Sequence, residues 1–368
     1  MITRQFIKNV STLSLAFIMA VSLFACTPKG QKIDSSHLRF DAMPSSESLI
    51  SSASKGKESG TPAQNRALIS FAGDCTFSNI QGLSLFNNVY DEEGPGYFLD
   101  GVSDIFAHDD LTIINLEGPF TTSTSQIDKW VEEEDEVDEE GVPTAFWFKA
   151  PPEYVQILTL GSVEVCNLAN NHTMDYGYEG FLETEQVLYD AGIDYFAWDE
   201  TLVVDVNGIK IGFFGLTYYF DPDTIYAAMD QLWYDGAEVI VAYVHDGIEG
   251  EYYPSYNQVS TAYTAIDYGA SAVIMSHPHV IQGVEEYNGG FIAYSLGNFC
   301  YGGHTNPSDK DSMIVQLEFV RTDAGITCTP FVIPCSISST SWTNDCRPMV
   351  LGGDEKQRLL DKIAELSS

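Results

Sequence analysis

Val165-Cys166-Asn167-Leu168-Ala169-Asn170-Asn171-His172-Thr173-Met174-Asp175-Tyr176-Gly177 opens as a short apolar run and breaks abruptly into Asn-Asn-His. The apolar half reads as a buried strand. Three other apolar runs end in the same way. Leu111–Ile114 runs into Asn115-Leu116-Glu117-Gly118, Val239–Val244 into His245-Asp246-Gly247, and Ala272–Met275 into Ser276-His277-Pro278-His279. In an open α/β sheet, ligands bind in the crevice beyond the carboxyl ends of the strands. Four strands delivering Asn, Glu and His to that edge build a metal site. A lone His at a strand end is more often a hydrogen-bonded loop residue, so the weight comes from the four together.

Around these strands the pattern alternates. Ala67–Ala72 reads as a strand ending in Gly73-Asp74, and Gly96 to Phe106 as helical. Helices are expected at Pro152–Leu160, Glu179–Ala191 (stopped by Gly192), Ala227–Tyr234 and Gln258–Tyr268. Strands are expected at Val163–Leu168, Tyr195–Phe196, Leu202–Val206, Lys210–Gly215, Phe291–Tyr294, Met313–Val320 and Ile326–Ile333. Asn207-Gly208 is a hairpin turn. Early βα alternation followed by late hairpins predicts an α/β fold with two packed β-sheets flanked by helices. The domain is placed at residues 67–335. A C-terminal segment, 336–368, carries an amphipathic helix from Asp354 to Leu366.

Residues 1–25 read as an export signal. Arg4 and Lys8 give a positive start, and Leu13 to Ala25 is too short an apolar stretch to span a membrane. Leu23-Phe24-Ala25-Cys26 resembles a bacterial lipoprotein cleavage box, which implies lipidation of Cys26. The expected location is therefore the extracytoplasmic face of the cell membrane, by a lipid anchor. Residues 26–66 are rich in Ser, Lys, Gly and Pro and read as a flexible tether.

The formal net charge is −36, with 17 basic residues. That excludes a nucleic-acid-binding surface and suits a solvated, extracellular one. Between Pro151 and Asp309 the only basic residue besides His is Lys210, so no sequence-local Arg or Lys is expected to clamp an anion. A metal would have to supply the positive charge. The acidic run Glu132 to Glu140 reads as a self-repelling, solvated loop, with cation binding as the minor alternative. Of seven cysteines, six remain after Cys26. Export permits disulfides, and free buried thiols are the plain alternative.

Taken together, the motifs resemble the CapA/PgsA family, the poly-γ-glutamate capsule proteins with a calcineurin-like metallophosphoesterase fold. The resemblance rests on an ordered set: Gly73-Asp74, Asn115-Leu116-Glu117, Ala169-Asn170-Asn171-His172 with Asp175 and Gly177, His245-x-Gly247-x-Glu249 with Pro254 and Gln258, His277-Pro278-His279, and Tyr294-Ser295-Leu296-Gly297-Asn298-Phe299. It implies one or two divalent transition metals, Zn, Mn or Fe. Glu117 would bridge them. Asn171, His245 and His277 would hold one, and Asp74 and His279 the other. His172 would face the substrate as a proton donor. Glu249 is read as a second candidate catalytic residue, either supporting His245 or contacting substrate. Three departures stand out. The bridging position, Glu117, is Glu rather than the usual Asp, which shifts its oxygens by one methylene. Thr76 occupies the place where such phosphoesterases carry a His, which leaves the Asp74 metal one ligand short, and Gly250 stands where the family commonly has Tyr.

Three functions follow as expectations. One is a surface metal-dependent hydrolase acting on a phosphoester or γ-glutamyl amide of an envelope polymer. Another is a non-catalytic component of a membrane-bound poly-γ-glutamate synthase, with its subunits and polymer as partners. The last is a metal-dependent carboxylate-binding module.

Overall fold

The computed structural model describes residues 65–79, 84–129, 146–218 and 221–368. The signal, Cys26, nearly all of the tether and the acidic run lie outside the described residues. The larger sheet is built from β1 Arg66–Thr76, β2 Leu111–Leu116, β3 Val165–Asn167, β4 Asp194–Phe196, β11 Asn298–Tyr301, β12 Asp311–Thr322, β13 Gly325–Ser336 and β14 Met349–Val350. It runs in the order β14-β13-β12-β1-β2-β3-β4, with β11 also paired to β1. The second sheet is built from β5 Leu202–Val206, β6 Ile209–Thr217, β7 Val239–His245, β8 Ala272–Ser276, β9 Val284–Tyr287 and β10 Gly290–Ala293. It runs in the order β5-β6-β7-β8-β10-β9.

Side-chain parity explains the layers. On β7, Val239, Val241 and Tyr243 enter the core between the sheets, while Ile240, Ala242 and Val244 face an outer core. On β2, Leu111 and Ile113 point inward, and Ile114 and Leu116 point outward. Both faces are buried, so these strands read as continuous apolar runs rather than alternating ones. The outer face of the larger sheet packs on α1 Leu85–Glu93, α3 Val155–Leu160 and α4 Gly177–Ala191 through Phe86, Ile157 and Leu188; α2 is the short turn Ser103–Phe106. The outer face of the second sheet packs on α5 Pro222–Tyr234 and α6 Tyr256–Asp267 through Met229, Leu232 and Ala262. The architecture is thus helix, sheet, sheet, helix, as expected. Leu359 and Ile363 of α7 Gly353–Leu366 enter the core between the sheets.

The same parity positions the site. Continuing by steps of two, Asn115 and Glu117 follow Leu111 and Ile113 inward, Asn167 follows Val165, His245 follows Tyr243, and Ser276 follows Ile274. All five are buried. The strands β2, β3, β6, β7 and β8 run parallel within their sheets, so their carboxyl ends share one edge. Strand β1 needs a correction of phase to join them. Its pairing with β2 skips from Ala72 to Asp74, leaving Gly73 as an extra residue. This bulge turns Asp74 inward. Only glycine fits there, because a Cβ at Gly73 would overlap the carbonyl oxygen of Gly297.

Several elements differ from expectation. Helix α1 and strands β9, β11 and β14 were not anticipated, and α5 begins at Pro222 rather than Ala227. Asp221 caps α5, its side chain accepting from the Asp223 amide. All six cysteines among the described residues are free, and all but Cys328 are buried. Burial alone pushes the Cys328 thiol up to about 12.

Candidate metal centre

Four ligand-type atoms converge at the shared edge. His245 Nε2 lies 2.8 Å from Asn171 Oδ1 and 3.2 Å from His277 Nδ1. Glu117 Oε1 lies 3.7 Å from the same nitrogen. That oxygen is buried and has no hydrogen-bond partner among the described residues. A buried, unpartnered carboxylate oxygen is costly unless a cation or donor meets it, so Glu117 Oε1 fits a metal ion. The second expected group is adjacent. One ligand atom from each of Asp74, Glu117 and His279 lies within 4.8 Å of the others. His279 Nε2 is 3.7 Å from Glu117 Oε1, and His279 Nδ1 is 3.4 Å from Asp74 Oδ2.

The histidines are held by neighbours. Ser276 Oγ lies 3.0 Å from His245 Nδ1. Asn115 Nδ2 lies 2.7 Å from Asp74 Oδ1 and 3.1 Å from His245 Nδ1. Asn115 Oδ1 in turn accepts from Asn167 and Asn170. Asn170 thus serves the loop, as its position suggested, accepting also from the His172 amide at 3.1 Å. Asn298 Oδ1 lies 2.9 Å from His279 Nδ1, which fixes the proton there and leaves Nε2 toward Glu117. Such outer partners orient ligands and set their tautomers. His277 and His279 both adopt positive φ, +103° and +58°. Strained backbone of this kind gathers at functional sites.

Electrostatics separate the groups. Burial opposes charge on Asp74, yet the bond to His279 and the nearby imidazoles outweigh it and hold the carboxyl well below its usual range. Burial pushes Glu117 up. Burial drives His245 well down, and burial with the charge of His279 takes His277 down to about 4. Neutral imidazoles are the form that binds metals. Burial disfavours charge on His279 too, but Glu117 and Asp74 overcome it and raise the ring to about 10. Negative charge is therefore concentrated around His279, where a cation is favoured.

His172 is buried, with its ring 4.4 Å from that of Phe148. Its Nδ1 lies 2.7 Å from Asp175 Oδ2, which also accepts from the Phe148 amide at 2.7 Å. Here the sequence reading needs correcting. Lys129, distant in sequence, folds back so that its Nζ is 2.6 Å from Asp175 Oδ1 and 3.2 Å from His172 Nδ1. A cation does stand beside the site, brought by a loop rather than a strand. Tyr218 was also missed. It directs its ring edge-on to His277, 5.2 Å between centroids, from a backbone at φ +58°. Glu249 shows no bond to His245; it lies instead near His277 and His279.

The fold and these residues define a two-sheet α/β protein with a histidine–carboxylate centre able to hold metal ions. Residues 68–302 match the family described as bacterial capsule synthesis protein PGA_cap, and the chain belongs to that family. It is 31% identical over 194 residues to capsule biosynthesis protein CapA of Bacillus anthracis, covering 45% of this chain and 47% of that protein. It is 28% identical over 283 residues to PGA biosynthesis protein CapA of Bacillus subtilis, covering 70% and 68%. The match thus spans about half of the first relative and about two thirds of the second. Among solved structures it is similar to the calcineurin-like phosphoesterase YfkN from Bacillus subtilis, with 14% identity, TM-score 0.45 and coverage of 82% and 98%.

Proposed function

We propose that this chain is a surface-anchored, metal-dependent hydrolase of capsule-polymer biosynthesis or processing. The observation that carries this reading is the convergence of Asn171 Oδ1, His277 Nδ1 and the unpartnered Glu117 Oε1 on His245 Nε2. Asn171, His245 and His277 with Glu117 would hold one ion of Zn, Mn or Fe; Asp74 and His279 would share Glu117 for a second. Such ions supply Lewis-acid chemistry, activating water and stabilising a leaving oxygen.

The remaining roles belong to the protein. Asp175 fixes the Nδ1 side of His172, leaving Nε2 to pass a proton to a departing group. Lys129 balances Asp175 and adds positive charge at the rim. The substrate class is a phosphoester or a γ-glutamyl amide of an envelope polymer, in keeping with the names of the Bacillus relatives. Lipid on Cys26 would hold the protein on the extracytoplasmic face of the cell membrane, beside polymer-synthase subunits. Cys26→Ser should then abolish labelling by a palmitate analogue; an unlabelled wild type would end the anchoring idea.

A non-catalytic scaffold for a poly-γ-glutamate synthase is the second reading, favoured by Thr76, which leaves the Asp74 site short of an imidazole. The two are separated by purifying the protein without chelator, measuring its metals, and assaying phosphoester and γ-glutamyl substrates. Bound metal with turnover supports the hydrolase. Protein that takes up no Zn, Mn or Fe overturns it in favour of the scaffold.

A further inference from the structure

The loop between β7 and α6 carries Glu249 toward the two histidines of the next strand end. Gly247 and Gly250 turn it at φ +134° and +78°, conformations that side chains with a Cβ rarely adopt. The Gly250 amide donates to the carbonyl of Pro278 at 2.9 Å, the residue between His277 and His279. Downstream, Gln282 Nε2 donates to the carbonyls of Glu251 and Tyr253 at 2.8 and 3.2 Å. Gln258 joins the same frame, accepting from the Ser255 amide and donating to Gln282 Oε1. The backbone around Glu249 is therefore fixed, while its side chain is exposed. One ligand atom from each of Glu249, His277 and His279 lies within 4.8 Å of the others. His279 thus belongs to two such groups, one with Glu249 outside and one with Asp74 and Glu117 inside. The inner group has three ligands, and Thr76 adds none, because its hydroxyl donates to Glu117 Oε2 at 2.6 Å.

We propose that Glu249 is a ligand of the second metal ion, reaching the His279 side from solvent and making up for the imidazole missing at Thr76. This rests on the metal reading above and assigns Glu249 a role other than supporting His245 or contacting substrate. Three carboxylates and one imidazole form an oxygen-rich set that suits Mn²⁺ better than a softer ion. An exposed carboxylate as the last ligand also makes this ion the exchangeable one.

The test uses the full-length chain, stripped of metal and titrated with Mn²⁺, with free Mn²⁺ read by electron paramagnetic resonance and bound metal by elemental analysis. Wild-type protein should take two ions of unequal affinity. Glu249→Gln should keep the tight ion and weaken the other at least tenfold, and Glu249→Asp should fall between. A melting curve equal to wild type shows that the variants fold. If Glu249→Gln binds both ions as the wild type does, the inference is wrong. A wild type that takes one ion also overturns it and leaves the His245 site standing. A wild type that takes none overturns the metal reading itself.

Discussion

Thr76 Oγ1 donates to Glu117 Oε2 at 2.6 Å, and the other oxygen of that carboxylate, Oε1, has no partner among the described residues. The hydroxyl at the position of a missing ligand therefore orients the carboxylate between the two halves of the centre. It turns one oxygen outward to His245 and His279, each 3.7 Å away. The two halves are unequal as a result. The His245 half has two imidazoles, an amide oxygen and a carboxylate, enough for tetrahedral coordination.

That inequality predicts the behaviour of single variants. His277→Ala should lose the tightly held metal. Asp74→Ala should keep it and lose only uptake at higher concentration. Elemental analysis of both proteins, purified without chelator, checks this. Equal loss in both would mean that the two halves bind as one unit.

His172 should act in proton transfer and not in metal retention. Its ring is fixed by Asp175 rather than by the metal ligands. With a substrate in hand, His172→Ala should cut the rate about 10²–10⁴-fold, the range for a positioned general acid, at unchanged metal content. Asp175→Asn should also be slow, since it loses the carboxylate that orients the ring. A His172→Ala enzyme of wild-type speed would remove the residue from the chemistry.

Gly73 ties the fold to the site. The bulge there aims Asp74 inward, and the Asp74 amide donates to the Gly297 carbonyl at 3.1 Å. Gly73→Ala must push the two backbones apart. A cost of about 1–3 kcal/mol is expected, as for other overpacked sites, seen as a lower melting temperature together with weaker uptake of the second metal. A variant as stable as the wild type would show that the backbones yield easily.

Strand ends and side-chain parity were legible in the sequence because both follow from local pattern. Asn115, Glu117, Asn171, His245, His277 and His279 could each be named from a strand and the break after it, and the fold brings them to one edge. The start of α5 is also legible, since Asp221-Pro222 is a cap followed by proline at the first turn. What stayed hidden depends on chain return. Lys129 reaches Asp175 across 46 residues by a loop with no periodicity. Asn298 reaches His279 because β11 pairs parallel with β1 and sets Asp74 against Asn298. No local signal announces either. The glycine before Asp74 was visible, but its reason, contact with Gly297, is a tertiary one.

Asp109 supplies a test of pH dependence away from the metal centre. Burial, helped by Glu164 and Asp110, raises its carboxyl to about 7 against the hydroxyls of Ser70 and Thr112. Thr112 Oγ1 donates to Asp109 Oδ2 at 2.7 Å. In the unfolded chain an Asp titrates near 4. The folded state therefore holds this proton more tightly than the unfolded state does. Its contribution to stability is greatest below about pH 4, declines between about 4 and 7, and stays low above that. Asp109→Asn keeps an acceptor oxygen and cannot ionise. The variant should melt above the wild type at pH 8, by about 2–4 °C for each kcal/mol removed, with the difference closing toward pH 4. Thermal melts of both proteins at the two pH values decide it, because the difference between them cancels every other titrating group. A difference of equal size at both would mean that Asp109 is ionised throughout and its burial tolerated.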